Sequence, residues 1–264
     1  MSTFTIKIIA LVLMFIDHFG TFFPEIAKTF YLRQIGRLSF PLFLFCLAVG
    51  VKHTSNPKKY VQRLYLASAI MGIGNFALSL IISKAPIHCA NNIFPTMMYI
   101  AFFCFMDMLM QRDSKQATKP LLAFGIFQVV SYLVELYAYK KFGLAALWLV
   151  RGVLPNIFTT EYGAVFIFLG FILYKFSDSK INLSISYTTF CALYFIMSFK
   201  RFFPVLTTRM VFITEFEWLI ILSLPIMLLY NGKRGYSGKW GKYLFYIFYP
   251  IHFWLLFIIS NLVK

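Results

Sequence analysis

Asp17 and His18 stand side by side inside an apolar segment, IKIIALVLMFIDHFGTFF, that runs from Ile6 to Phe23. A carboxylate and an imidazole are suited to moving protons, and hydrocarbon solvates them poorly, so the pair must face protein, water or a substrate. Either it belongs to a functional site or it hydrogen-bonds neighbouring helices as structure. A second group follows in RQIGRLSFPLF, where Arg37 stands four positions before Pro41. Proline has no N–H to give to the carbonyl four residues earlier, and its ring clashes with it. A kink there exposes an acceptor beside the Arg37 guanidinium, a group that can hold a carboxylate or stabilise an oxyanion. The alternative is a tolerated membrane-helix proline, with Arg37 snorkelling to the interface. Gly36 permits the close approach of another helix.

Further chemistry lies in GVKHTSNPKKYVQRL, which concentrates His53, Lys58, Lys59 and Arg63 among hydroxyl and amide donors. This set suits phosphate, whether of a soluble ligand or of anionic lipid. His252 sits near the middle of another apolar run, FYIFYPIHFW, two residues after Pro250, which leaves the Tyr246 carbonyl without its usual donor. A lone intramembrane histidine is either a satisfied packing residue or a secondary part of a site. Glu135, Glu161, Glu215 and Glu217 fall near the ends of apolar segments, where they pair with Arg151 or Arg209 or simply lie at the interface. Cys46, Cys104 and Cys191 lie within apolar segments as small packing residues. Cys89 follows His88 in a loop, which is a weak metal signal, and with no zinc spacing or disulfide framework no metal is expected.

These residues are set in a chain that only a bilayer can solvate. Of its 264 residues, 60% are hydrophobic, 13% are charged and 33 are phenylalanine, and the mean hydropathy is +0.76. A soluble fold of this length cannot hide so many apolar side chains. The apolar stretches run without alternation, which excludes a membrane barrel. The fold class is therefore all-α, a polytopic transmembrane helical bundle. A net charge of +16 would suggest nucleic acid in a soluble protein. Here Lys and Arg cluster in short loops that set topology and touch lipid headgroups, and no basic face or module exists for nucleic acid.

A spanning helix needs roughly 20 apolar residues. Such segments are expected at Ile6–Phe23, Gln34–Val51, Val61–Ile82, Pro95–Met110, Leu121–Tyr139, Tyr162–Phe176, Ile185–Phe199, Val211–Tyr230 and Tyr243–Leu262. Leu144–Phe158 is also apolar but contains Arg151, Gly152, Pro155 and Asn156, and reads as a re-entrant or interfacial helix, with a tenth span as the alternative. Basic loops mark the even-numbered connections of the nine-span arrangement: Lys52, Lys58, Lys59 and Arg63; Arg112, Lys115 and Lys119; Lys175 and Lys180; and Lys233, Arg234, Lys239 and Lys242. The positive-inside rule places them, and the N-terminus, in the cytoplasm. Lys200, Arg201 and Arg209 in the seventh connection break the rule, and mark either a basic surface for an anionic substrate or contact with headgroups. No repeat is visible, so residues 1–264 read as one bilayer domain, and the first segment as a retained helix without a leader's cleavage motif.

In this topology Asp17 and His18 lie in the outer third of the first helix, with Arg37 at similar depth in the second. Successive helical residues do not face each other. Asp17 is therefore expected to meet Arg37 or another helix, leaving His18 aimed elsewhere.

Three patterns occur in order: KIIALVLMFIDHFG, then IGRLSFPLFLFCLAVGVKHTSNPKKYVQRL, then YNGKRG followed by FYIFYPIH. Together they resemble the TraX family, whose named member acetylates the N-terminus of conjugative pilin and which in turn is similar to multi-span membrane acyltransferases. The resemblance covers most of the chain, is strongest at its two ends, and has no comparable motif between about Ile82 and Ser198. It implies a multi-pass protein of the bacterial cytoplasmic membrane that takes acetyl-CoA from the cytosol. It matches Asp17 and His18 to the family's intramembrane acid and histidine, and Arg37 and Pro41 to its second-helix element. His53, Asn56, Tyr60 and Arg63 match its cytoplasmic element, and His252 its terminal-helix histidine.

The implied activity is acetyl transfer to an amine or hydroxyl of a pilin-like peptide or an envelope glycan, with membrane lipid as the surrounding partner. His18 would be the general base, or the acceptor of an acetyl-histidine intermediate. Arg37 would stabilise the oxyanion or keep Asp17 ionised. Lys58, Lys59 and Arg63 would hold the donor's phosphates. His252, Glu161 and Arg151 form a secondary or substrate site. Two other classes compete: a proton-coupled transporter or flippase using Asp17, His18 and His252 as a relay, and a non-catalytic assembly partner.

Overall fold

A computed structural model describes residues 1–25, 29–82, 91–202, 216–236 and 238–263. The described residues form helices and connecting turns, with no strand among them. Helices α1 (Thr3–Phe22), α2 (Thr29–Gly36), α3 (Ser39–Lys52) and α4 (Pro57–Ile81) are followed by α5 (Phe94–Arg112) and α6 (Ser114–Phe142). Then come α7 (Leu144–Val153), α8 (Gly163–Phe176) and α9 (Lys180–Phe202). A 3-10 helix (Phe216–Ser223), α10 (Leu224–Leu228) and α11 (Lys239–Leu262) complete the order.

Among the described residues, seven helical stretches are long and apolar enough to cross a bilayer: Thr3–Phe22, Tyr31–Lys52, Pro57–Ile81, Phe94–Arg112, Ser114–Phe142, Lys180–Ser198 and Tyr243–Leu262. The shorter apolar helices Gly163–Phe176 and Glu217–Leu228 stand where the other two spans are expected, and Leu144–Val153 stands where the re-entrant helix is expected. His88, Cys89, Arg209 and Glu215 lie outside the described residues, as do the side chains of Lys200 and Arg201.

Exposure along α6 runs opposite to that of a water-soluble helix. The α6 helix buries Ala117, Ser131, Glu135 and Ala138 and exposes Leu122, Ile126, Val129 and Leu133. Small and polar groups seek protein partners, while branched apolar ones suit lipid.

The helices group into two compact units, Met1–Val49 with Lys175–Lys264, and Gly50–Tyr174. In the first, α1 packs against α2 and α11, and α9 packs against the 3-10 helix. A helix start leaves its first N–H groups without partners. Here Ser2 Oγ accepts from the Thr5 N–H (3.2 Å), and the carbonyls of Lys233 and Arg234 accept from the N–H groups of Thr3 (3.0 Å) and Phe4 (3.1 Å). The Asn231 N–H returns a bond to the Met1 carbonyl (2.9 Å). The NGKRG turn thus clamps the start of α1. Gly232 (φ 76°) and Gly235 (φ 75°) supply the left-handed backbone it needs, and a Cβ on Gly235 would lie 2.8 Å from Ser2 Cβ.

The second span is broken where Pro41 predicts it. The α2 helix ends at Gly36 and α3 begins at Ser39. The N–H groups of Arg37 and Leu38 still reach back to Arg33 and Ile35, each at 3.2 Å. Pro41 has no N–H to offer the Arg37 carbonyl.

In the second unit α4 packs against α5 and α7, and α6 packs against both α5 and α7. The ten residues of α7 rise about 15 Å, half a span. Its C-terminal end docks near the middle of α4, where a Cβ on Gly72 would lie only 2.6 Å from Gly152 Cα. The hydroxyls of Ser68 and Tyr65 donate to the carbonyls of Gly152 and Val153, each at 2.8 Å. Residues 154–162 then turn back without forming a helix. A short apolar helix followed by an irregular return accords with the expected re-entrant or interfacial helix.

Candidate functional site

His18 on α1 and His252 on α11 meet. Their rings stack with centroids 5.0 Å apart at 16°, and His18 Nδ1 lies 2.7 Å from His252 Nε2. His252 Nδ1 in turn lies 2.6 Å from the Phe248 carbonyl one helical turn earlier. Both side chains are buried, with Phe253 set edge-on to His18 at 5.2 Å and Phe248 stacked on His252 at 4.6 Å. The hydrogen-bond pattern fixes the tautomers of the neutral pair. A nitrogen facing a carbonyl must carry the proton, so His252 donates from Nδ1 and presents Nε2 as an acceptor. His18 must then donate from Nδ1, which leaves its Nε2 as the lone-pair nitrogen. That is the arrangement a general base requires.

Asp17 points the other way, toward α2. A Cβ on Gly36 would collide with the Asp17 side chain and lie 2.7 Å from its Cα, so only glycine lets the helices meet here. The Arg33 and Arg37 guanidinium groups lie within electrostatic reach of Asp17, and Arg37 also within reach of His18. Asp17 Oδ1 is buried with no hydrogen-bond partner among the described residues. Arg37 Nη1 forms an ion pair with Glu217 Oε1 at 3.1 Å, at the start of the 3-10 helix. The separation of Asp17 from His18 therefore follows helical geometry, and Glu217 joins Arg37 as a partner the sequence did not assign.

The cationic group of the second unit lies at the N-terminal end of α4. Asn56 caps that helix, its Oδ1 accepting the Lys59 N–H at 2.9 Å, and Pro57 occupies the first turn. The side chains of His53, Lys58 and Lys59 are exposed. The Arg63 guanidinium sits over the Tyr60 ring at 5.4 Å. Exposed ammonium groups beside a helix N-terminus are a fitting donor set for phosphate. Elsewhere in this unit Arg151 donates from Nε and Nη2 to Glu135 Oε1 at 2.7 and 2.6 Å, and the Glu161 carbonyl accepts from Thr96 Oγ1 at 2.5 Å. Among the described residues, no cluster of three or more His, Cys, Asp or Glu is placed to hold a metal ion.

The model of the family described as TraX protein matches residues 2–260, from the clamp on α1 to the end of α11. The chain belongs to the TraX family. It is also 28% identical over 260 residues to the probable fimbrial assembly protein FimC, serogroup H1, of Dichelobacter nodosus, covering 97% of this chain and 94% of that one. No solved structure matches the chain. Both the histidine pair and the α4 cationic group of this TraX-family chain fall inside the family match. The contact between His18 and His252 could be sought in the sequence only as two histidines in apolar segments at opposite ends of the chain.

Proposed function

We propose that this TraX-family protein is a membrane-embedded acetyltransferase. It moves an acetyl group from cytosolic acetyl-CoA to an amine or hydroxyl of a pilin-like peptide or an envelope glycan. The context is surface-fibre assembly, in keeping with the name of its fimbrial relative, at the cytoplasmic membrane with the N-terminus inside. The observation that carries this reading is the hydrogen-bonded chain from the Phe248 carbonyl through His252 to His18, which leaves a lone pair on His18 Nε2, with Arg37 within electrostatic reach of the ring.

His18 Nε2 takes the proton of the acceptor as its nitrogen or oxygen bonds to the acetyl carbon. The carbon–sulfur bond then breaks, and His18 returns that proton to the departing thiolate. Arg37, steadied by Glu217, faces the charge that develops on the carbonyl oxygen. His252 stabilises the imidazolium that forms on His18, as a hydrogen-bonded partner does in acyl-transfer triads. Lys58, Lys59 and Arg63, aided by His53, Asn56 and Tyr60, hold the donor's phosphates.

The test is transfer of acetyl label from acetyl-CoA to added acceptors by the purified protein. The same hydrogen-bonded chain would also serve a proton-coupled transporter or flippase. Gradient-driven uptake by liposomes without acetyl transfer is the result that favours that reading. For the cationic loop, the double variant Lys58→Glu/Lys59→Glu is expected to raise the KM for acetyl-CoA about tenfold or more while kcat is kept. An unchanged KM with altered lipid dependence would assign these lysines to headgroups.

A further inference from the structure

Helix α6 has two distinct sides. Ser131, Glu135 and Ala138 are buried, on the side that packs against α5 and α7. At 3.6 residues per turn the opposite side is Leu122, Ile126, Val129, Leu133 and Leu136, each between 40% and 68% exposed. Steps of four and three residues keep these five on one stripe, and the next position along it is Lys140. Fourteen residues at 1.5 Å each make the stripe about 21 Å long. It is an apolar track that ends at a lysine.

The apolar run of α6 stops at Tyr139, which sets Lys140 and Lys141 at headgroup depth. Tyr137 and Tyr139 are exposed on either side of the stripe, as aromatic residues are at a membrane interface. Lys141 is held in place. Its Nζ donates to Tyr137 Oη at 3.1 Å and lies 5.6 Å from the centre of that ring and 5.5 Å from that of Phe142. Both lysines are exposed, and neither meets a carboxylate among the described residues. The one acid in α6, Glu135, lies on the buried side and is bonded to Arg151. The positive-inside rule does not account for this pair. The topology-setting charges of α6 are Lys115 and Lys119 at its other end, and the two ends of a spanning helix lie at opposite faces of the bilayer.

We infer that this end of α6 binds an anionic phospholipid, with the phosphate between Lys140 and Lys141 and an acyl chain laid along the stripe from Leu136 to Leu122. Two adjacent ammonium groups with no carboxylate favour a headgroup of net negative charge over a zwitterionic one. The exposed track below them calls for a chain that stays in hydrocarbon, which a soluble phosphate lacks. A second copy of the helix laid along the same stripe in parallel would bring like charges together. Acetyl transfer plays no part in this inference.

The test uses the full-length protein in a neutral detergent with two photoreactive lipids of the same acyl chain, a phosphatidylglycerol and a phosphatidylcholine. The phosphatidylglycerol is expected to label residues 122–144 at least about tenfold more efficiently than the phosphatidylcholine. Lys140→Gln/Lys141→Gln should erase that preference, and Lys140→Arg/Lys141→Arg, which keeps both charges, should keep it. Lys115→Gln/Lys119→Gln, at the other end of the helix, should leave it unchanged. Plain phosphatidylglycerol should compete with the label, and water-soluble glycerophosphate should not. Equal labelling by the two lipids, a preference untouched in the Lys140→Gln/Lys141→Gln protein, or displacement by glycerophosphate would overturn the inference. So would crosslinks between two copies along the stripe in place of lipid label.

Discussion

Replacing His18 with alanine is expected to slow acetyl transfer by about 10²–10⁴-fold while the protein still folds and inserts. The size follows from the role. A positioned base that takes the acceptor's proton contributes on that order, and the bond to His252 leaves His18 Nε2 as the lone-pair nitrogen. Alanine also opens space beside Phe253 and Tyr249. Unfolding in detergent should therefore be measured beside the rate, so that loss of a base is separated from loss of packing. The loss should fall on kcat with the KM for acetyl-CoA unchanged, because His18 belongs to the reacting step and not to the phosphate-holding loop. His252→Ala should give a smaller loss, about 10–100-fold, since it frees the tautomer without removing the base. His252→Gln, which can again accept from His18 Nδ1, should recover part of it. Equal losses in both alanine variants would point to a histidine pair acting as a unit.

The second large effect is on stability. Arg151→Ala is expected to cost about 3 kcal/mol, read as a lowered midpoint of unfolding in detergent. Glu135 is buried, and its Oε1 takes both guanidinium bonds while Oε2 takes the Thr159 hydroxyl. Removing the guanidinium strands a carboxylate inside the helical unit. Partial exposure of the Arg151 side chain, 39%, places the cost at the lower end of the range for buried pairs. The double variant Glu135→Leu/Arg151→Leu should be more stable than Arg151→Ala alone, because it removes both charges together. A double variant as unstable as the single would show that packing of the re-entrant turn, not the ion pair, carries the stability.

Much of the scaffold was legible because bilayer physics writes it into short windows of sequence. Apolar length located the seven long helices, with two of the nine expected spans met by shorter apolar helices, and Pro41 four residues after Arg37 marked the break between α2 and α3. Arg151, Gly152, Pro155 and Asn156 inside an apolar run marked a helix that turns back. The one-residue offset between Asp17 and His18 was enough to send them to different neighbours. The partners of these residues were not legible. Helical periodicity fixes which way a side chain points on its own helix, whereas the register between helices depends on packing along their whole length. Nothing near His18 announces His252, and nothing near Arg37 announces Glu217. The basic YNGKRG stretch read as a topology signal, yet its carbonyls and glycines hold the start of α1. Asn92 and Asn156 carried no spacing signal, because an isolated carboxamide acquires its role only from the backbone groups that folding brings to it.

The most direct measurement is a transfer assay with purified protein in nanodiscs, given acetyl-CoA labelled in its acetyl group and a peptide with a free amino terminus. The expected result is label on the acceptor, matched by an equal amount of released CoA thiol, with both lost in His18→Ala. Labelled acceptor formed as fast by folded His18→Ala protein as by the parent would contradict the role given to the histidine pair.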